Sequence, residues 1–284
     1  MFNIVERLRY RGNTIGYIVA DLANNKRFIN IEQASKLNYA NAIVCSNGTI
    51  RGKVKIHENT VYDSRSWDGN WSGYFILFHG SPNKSFVPTY GLGSDKHDYG
   101  KGFYLTPHKE LAKEWAMCSE LKIGYLHSYI LRLDGLKVLD FNKLGNLAWM
   151  AELMKHRKAD TSLRYRRFSP VFIEKYNVCT DEYDIIHGWR ADSSFFSLAK
   201  RFVRDEIDYE LIGELFKLGD LENQICLKSQ LAFDRLFELP NVSKVDIKYA
   251  DLYTKRDKKA RELMDSIIDS PMNTMTNTFS TLIR

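Results

Sequence analysis

Nothing in the chain reads as a membrane anchor, because no apolar run approaches the ~20 residues a helix needs to cross a bilayer. The opening stretch MFNIVERLRYRG interrupts its apolar residues with charges, so no secretory signal is expected there. Cysteine is scarce, with 4 in 284 residues. Cys45, Cys118, Cys179 and Cys226 are widely scattered and show neither paired disulfide spacing nor metal-ligand spacing. They are expected to be buried structural thiols in a reducing cytoplasm, with no metal bound. A strong excess of one charge is missing too. The formal +6 permits contact with a nucleic acid or an acidic partner without demanding one. No internal repeat is evident.

What the chain has is apolar and aromatic content, 44% and 13%, enough for a globular protein with a sizeable core. Residues 1–70 read as a small β-rich module. Gly16–Ala20 and Phe28–Ile31 read as strands, and Ile31–Leu37 as a short helix. Ala42–Cys45 and Ile50–Ile56 flank Ser46-Asn47-Gly48, a turn suited to a hairpin. Arg51, Lys53 and Lys55 share one face of that last strand. A basic docking face is one reading, and a lysine-protected edge strand is the favoured one. Asp63–Trp71 is the expected linker.

The rest of the chain is organised around Tyr74–Met117. Tyr74–Phe78 has the length and aromatic richness of a buried strand, and it delivers His79-Gly80-Ser81-Pro82 at its end. A polar loop leads to Gly102–Thr106, a second short strand. Thr106-Pro107 then reads as a helix start, with Leu111, Ala112, Trp115 and Ala116 on one face.

Further on, strands are expected at Gly124–Asp134, Lys137–Asp140, Tyr183–Ile186, Asn223–Ser229 and Val245–Tyr249. Helices are expected at Asn146–Lys158, Val171–Tyr176, Leu211–Leu218, Gln230–Phe237 and Asp257–Ser270. Arg157 and its neighbours suit a helix C-terminus. Arg164–Arg167 (RYRR) is either a solvated face or a phosphate grip. Pro271–Arg284 reads as a mobile polar tail.

In order, HGS, GLG, YGKGFYLT and A-x-x-W resemble the NAD-binding core of the ADP-ribosyltransferase superfamily, whose polymerase branch has HGS, a GL and FGKGIY. The chain looks closest to a bacterial family of uncharacterised transferase-like proteins, with HGS, DFGKGFYLT and a downstream DIVIGPxADD. Here Asp184-Ile185-Ile186-His187-Gly188-Trp189-Arg190-Ala191-Asp192 stands at the corresponding distance. The resemblance implies an α+β fold, a split β-sandwich with peripheral helices and NAD in its cleft. That domain would span 71–253, preceded by the 1–70 module and followed by a helical and polar tail at 254–284.

It also implies roles. His79 would bond the adenosine ribose, the Gly80 backbone would clasp the carboxamide, and Ser81 and Gly102 would belong to the cofactor site. Tyr104 would stack on one face of the nicotinamide. Trp115 is either a second stacking aromatic or the helix's core anchor. The departure is at Asn223-Gln224-Ile225, where polymerase-type members carry a Glu, often as N-E-Y. Gln224 can accept the ribose bond but lacks the charge that steadies an oxocarbenium, a loss of roughly two to three orders of magnitude in rate. Glu222, on the same face of an extended strand, stands where other members place an acceptor-contacting residue. Arg190 and Asp192 are further candidates, with a structural salt bridge as the alternative.

The expected activity is NAD-dependent mono-ADP-ribosylation of a nucleic acid or protein by a cytoplasmic toxin or defence effector, with a possible antitoxin or inhibitor partner. The alternatives are a silent NAD- or ADP-ribose-binding scaffold and an NAD glycohydrolase.

Overall fold

The structure, a computed structural model, describes residues 2–52, 56–63, 71–157, 162–191, 193–215 and 223–284, with 193–196 as backbone only. The chain is mixed α+β and divides into two compact units, each assembled from several stretches. One is Met1–Ser85 with Pro107–Gly135 and Asp234–Val245; the other is Phe86–Thr106 with Leu136–Phe233 and Asp246–Arg284.

The first unit contributes β1 (Asn3–Tyr10), β2 (Asn13–Ala20), β3 (Lys26–Asn30), β6 (His57–Asp63) and β7 (Tyr74–Ser81). It also contributes β9 (Tyr125–Arg132), β13 (Leu236–Glu238) and β14 (Ser243–Lys244). Their order is β13-β9-β7-β6-β1-β2-β3, with β14 also on β9. The edge strands β3 and β13 approach each other, so the sheet nearly closes. β1 runs parallel to β6, and β6 parallel to β7. The N-terminal strands thus share one sheet with the strand that ends in His79-Gly80-Ser81.

β1 is not evident from the sequence because its inward face is mixed: Ile4, Glu6 and Leu8 are all buried. The Glu6 carboxylate accepts from Tyr74 Oη (2.6 Å), Asn59 Nδ2 (2.6 Å) and Arg132 Nη1 (3.2 Å), tying four strands together.

α1 (Ile31–Ser35) begins in a capping box made by Asn30 and Gln33. The hairpin is shorter than expected, pairing β4 (Ile43–Val44) with β5 (Ile50–Arg51). Lys53, Lys55 and most of the expected linker lie outside the described residues. α2 (Lys109–Ala116) starts later than expected, with His108 rather than Thr106 as N-cap and no capping bond from its side chain. The Thr106 hydroxyl is used elsewhere, donating to the Asn223 carbonyl at 3.4 Å.

The second unit has a sheet in the order β10-β11-β12-β8: β10 (Val138–Asp140), β11 (Ile185–Trp189), β12 (Asn223–Leu227) and β8 (Phe103–Leu105). Its helices are α3 (Phe141–Leu144), α4 (Asn146–His156), α5 (Leu163–Tyr176) and α6 (Ser193–Val203). They continue with α7 (Tyr209–Leu215), α8 (Gln230–Asp234), α9 (Lys248–Ile268) and α10 (Phe279–Leu282). No strand forms at Val245–Tyr249: Val245–Ile247 lead into α9, which begins at Lys248 and buries Tyr249, Ala250, Ala260 and Met264.

RYRR lies inside α5. There Arg164 donates to the Val203 carbonyl (2.8 Å) and binds Asp205 and Ser280, a tie within the fold. The C-terminal segment is docked, correcting the expected mobile tail. Asp208 Oδ2 accepts from Thr274 Oγ1 (2.7 Å) and from the Thr276 amide (2.8 Å). Phe279 is fully buried, with its ring 5.1 Å from Phe172 and 5.7 Å from Phe202.

All four cysteines are free, but only Cys226 is buried; Cys118 and Cys179 are exposed. Burial pushes the Cys226 thiol up to about 12, which leaves it protonated and inert. Among the described residues, no helix is long and apolar enough to cross a membrane.

Candidate functional site

In the first unit, His79, Gly80 and Ser81 end β7 and pair with His127, Leu126 and Tyr125 of β9. α2 lies hard against this strand. A Cβ added at Gly80 would stand 1.9 Å from the Ala112 carbonyl oxygen and 2.5 Å from the Ala116 nitrogen, so only glycine fits. This gives Gly80 a packing role whatever its backbone binds. His79 is half-buried and Ser81 is buried. Ser81 Oγ accepts from the Asn83 amide at 3.1 Å, closing a turn directly after the motif. Trp115 is half-buried on α2, while Leu111, Ala112, Glu114 and Ala116 form the buried side.

In the second unit, β12 runs antiparallel to β8 with Cys226 opposite Tyr104. Gln224, two residues before Cys226, therefore shares a sheet face with Tyr104 on neighbouring strands. Gly102 permits this pairing, since a Cβ there would lie 2.4 Å from Cys226 Sγ and 2.6 Å from the Leu227 carbonyl oxygen. The Tyr104 hydroxyl turns back on its own loop. It donates to the Gly100 carbonyl (2.7 Å) and accepts from the Tyr99 amide (3.0 Å). Burial holds this phenol protonated, its pKa well above the usual value. The Tyr99 ring lies nearly parallel at 6.4 Å, and His97 meets the Tyr104 ring edge-on at 5.3 Å. Lys228 Nζ donates to the Tyr99 and Lys101 carbonyls (2.6 and 2.8 Å), fixing the Gly-Lys-Gly loop.

Gln224 is buried, 3% exposed, and its Nε2 donates to Asp98 Oδ2 at 2.8 Å and to the Trp189 carbonyl at 3.3 Å. Both neighbours are acceptors, so the position calls for a donor; an ionised glutamate could not bond to either. Asp98 also accepts from the Ala191 amide (2.8 Å) and binds Arg157, which balances its charge. The Tyr99 hydroxyl donates to the same Trp189 carbonyl at 2.6 Å and accepts from Trp149 Nε1 at 3.0 Å.

Arg190 is buried in this unit. Glu222 and Asp192 lie outside the described residues. A further pair stands on β10 and β11, where Oδ1 of the half-buried Asp140 is 3.0 Å from Nδ1 of the buried His187. Burial raises the Asp140 carboxyl, but the His187 bond and charge and the Asn142 amide outweigh this and leave it below the usual range.

The sequence expectations are thus divided. Tyr104, Gly102 and Gln224 are brought together in one unit, and His79, Gly80, Ser81 and Trp115 belong to the other. The pairing of Asp98 with Gln224 and Arg157 was not foreseen. Asp98 stood in view, as the acidic residue just before Tyr-Gly-Lys-Gly.

Fold and motif positions define a mixed α+β protein with two motif-bearing strand ends. Its sequence matches, over residues 75–237, the family described as "Protein of unknown function (DUF3990)". The match takes in more than half of the 284 residues, so the chain belongs to that family. No curated protein and no solved structure matches it.

Proposed function

We propose that the protein is an NAD-dependent mono-ADP-ribosyltransferase that modifies a nucleic acid or protein, acting in the cytoplasm as a bacterial or phage-related toxin or defence effector. An inhibitor protein as partner belongs to the same reading. One observation carries it: Tyr104 and Gln224 share a face of the adjacent strands β8 and β12. That is the relation the ordered motifs require of a stacking aromatic and the residue at the catalytic-strand start.

The reaction needs little covalent help from the protein. The bond from ribose C1′ to the nicotinamide nitrogen breaks, and nicotinamide leaves with the bonding pair. An acceptor nucleophile then forms a bond to C1′ and loses its proton. Tyr104 stacks on the departing ring, and His79 bonds the adenosine ribose. Gly80 offers backbone to the carboxamide, and Trp115 is the second aromatic. Glu222 is the acid assigned to the acceptor. NAD is a substrate here, consumed in each turnover.

A second reading, a silent NAD- or ADP-ribose-binding scaffold, is favoured by the commitment of the Gln224 amide to Asp98 and Trp189. Incubating the protein with adenylate-labelled NAD and a cell lysate separates the readings. Label on macromolecules supports the transferase. Label only in free ADP-ribose indicates a glycohydrolase, and unconsumed NAD a scaffold.

A further inference from the structure

We infer that His127 is a positioning residue: a buried imidazolium, oriented by Glu238, that clamps the turn leaving the His79-Gly80-Ser81 motif. The ring is fully buried on β9. Its Nδ1 lies 3.1 Å from Glu238 Oε1, and its Nε2 lies 3.0 Å from the Asn83 carbonyl oxygen. A carbonyl oxygen only accepts, so Nε2 carries a proton. An ionised carboxylate also only accepts, so Nδ1 carries one too. The ring between them is the doubly protonated cation, with Glu238 as its counter-ion.

The surroundings fit a clamp on the motif. His79 stands directly across the strand pair, its ring 6.5 Å from that of His127, and Tyr129 lies nearly parallel to His127 at 6.4 Å. Asn83 is held on both sides, since its carbonyl accepts from His127 and its amide donates to Ser81 Oγ. One chain of bonds therefore runs from a partly exposed carboxylate on β13, through β9, to the turn after β7. A site that grips a ribose with His79 and a carboxamide with Gly80 backbone needs that turn fixed to within about half an ångström. The consequence for NAD depends on the proposed function; the state of the ring and of the turn does not.

Three measurements on full-length wild type, Glu238→Gln and Glu238→Ala test this. The Glu238 side chain is 38% exposed on a short strand, so both variants are expected to fold. Nitrogen-15 NMR of histidine-labelled wild type should show two protonated ring nitrogens for His127 at neutral pH. In Glu238→Gln the ring should keep one proton, on Nε2, because the new amide donates to Nδ1; the Asn83 amide should then exchange at the wild-type rate. In Glu238→Ala that amide should exchange about tenfold faster, because the ring loses the Nδ1 partner that orients it toward the Asn83 carbonyl. Calorimetric NAD affinity should fall by a similar factor. A wild-type ring with a single proton, or Asn83 exchange indifferent to Glu238→Ala, overturns the inference. If ring and exchange behave as expected but wild type binds no NAD, the clamp stands and the proposed function falls.

Discussion

In the first unit the His127 ring stands between the Glu238 carboxylate and the Asn83 carbonyl; in the second the Gln224 amide stands between the Asp98 carboxylate and the Trp189 carbonyl. Each unit holds a donor between two acceptors beside a motif residue, but the charges are arranged differently. Around His127 the donor supplies the positive charge, and the carboxylate at the far end reaches solvent. Around Gln224 the donor is neutral, and the buried Asp98 is balanced by Arg157 instead. The difference explains the glutamine. The acceptors already present demand a donor at this position, so glutamine answers Asp98 and the Trp189 carbonyl.

The largest expected effect follows from that pairing. Gln224→Glu would bring two carboxylates to hydrogen-bond distance in a buried setting, leaving one protonated or unpaired. It should cost about 3–5 kcal/mol in denaturant unfolding. Adding Asp98→Asn should recover at least about 1 kcal/mol, since the asparagine amide can donate to the new carboxylate. Gln224→Ala should cost only about 1–2 kcal/mol, because Asp98 keeps Arg157 and the Ala191 amide. Equal losses for the alanine and glutamate variants would break the comparison.

Next in size are the motif glycines. Gly80→Ala forces backbone apart between β7 and α2, and should lower stability by about 3 kcal/mol. Gly102→Ala meets a sulfur as well as a carbonyl and should cost less, about 1–3 kcal/mol, because Cys226 can shift its side chain. A Gly80→Ala protein of wild-type stability would show that α2 does not hold that strand.

Smaller still is Tyr104→Phe. It removes the hydroxyl that closes the Gly100–Tyr104 loop but keeps the ring, so about 1 kcal/mol of stability should go while NAD labelling survives. Tyr104→Ala should abolish labelling in a folded protein. Labelling by the alanine variant at the wild-type rate would remove Tyr104 from the site.

The smallest effect is confined to acid pH. Burial raises the Asp208 carboxyl, but bonds from the Thr274 hydroxyl and the Glu210, Thr276 and Asn277 amides outweigh it and hold its pKa below the usual value. A lowered pKa means stability present above the ordinary carboxylate range and lost as pH falls through the depressed folded value. Amide exchange at Thr276 and Asn277 should therefore accelerate there ahead of the β12 amides. Simultaneous loss in both would contradict a locally docked tail.

Much of this was legible in the sequence, for identifiable reasons. Tyr74–Phe78 stands out as an unbroken apolar and aromatic run, and Phe103–Leu105 and Ile225–Leu227 as shorter ones. The motifs around them were readable as words. β1 was hidden by Glu6, whose partners Tyr74 and Arg132 are far away along the chain. The docked C-terminus was hidden for the same reason: Ser, Thr and Asn look mobile until Asp205 and Asp208 are placed beside them. Neither clamp was visible, since Asn83, His127 and Glu238 come from separate stretches, as do Asp98, Arg157 and Gln224. Sequence names a donor or an acceptor, and only the fold supplies its complement.

The most direct test of the NAD assignment is a calorimetric titration of NAD into purified wild type and Tyr104→Ala, with circular dichroism to confirm that both are folded. Saturable binding by wild type, weakened at least about tenfold in Tyr104→Ala by loss of the stacking face, is the predicted result. Folded wild-type protein that takes up no NAD, or a variant that binds it equally well, would contradict it.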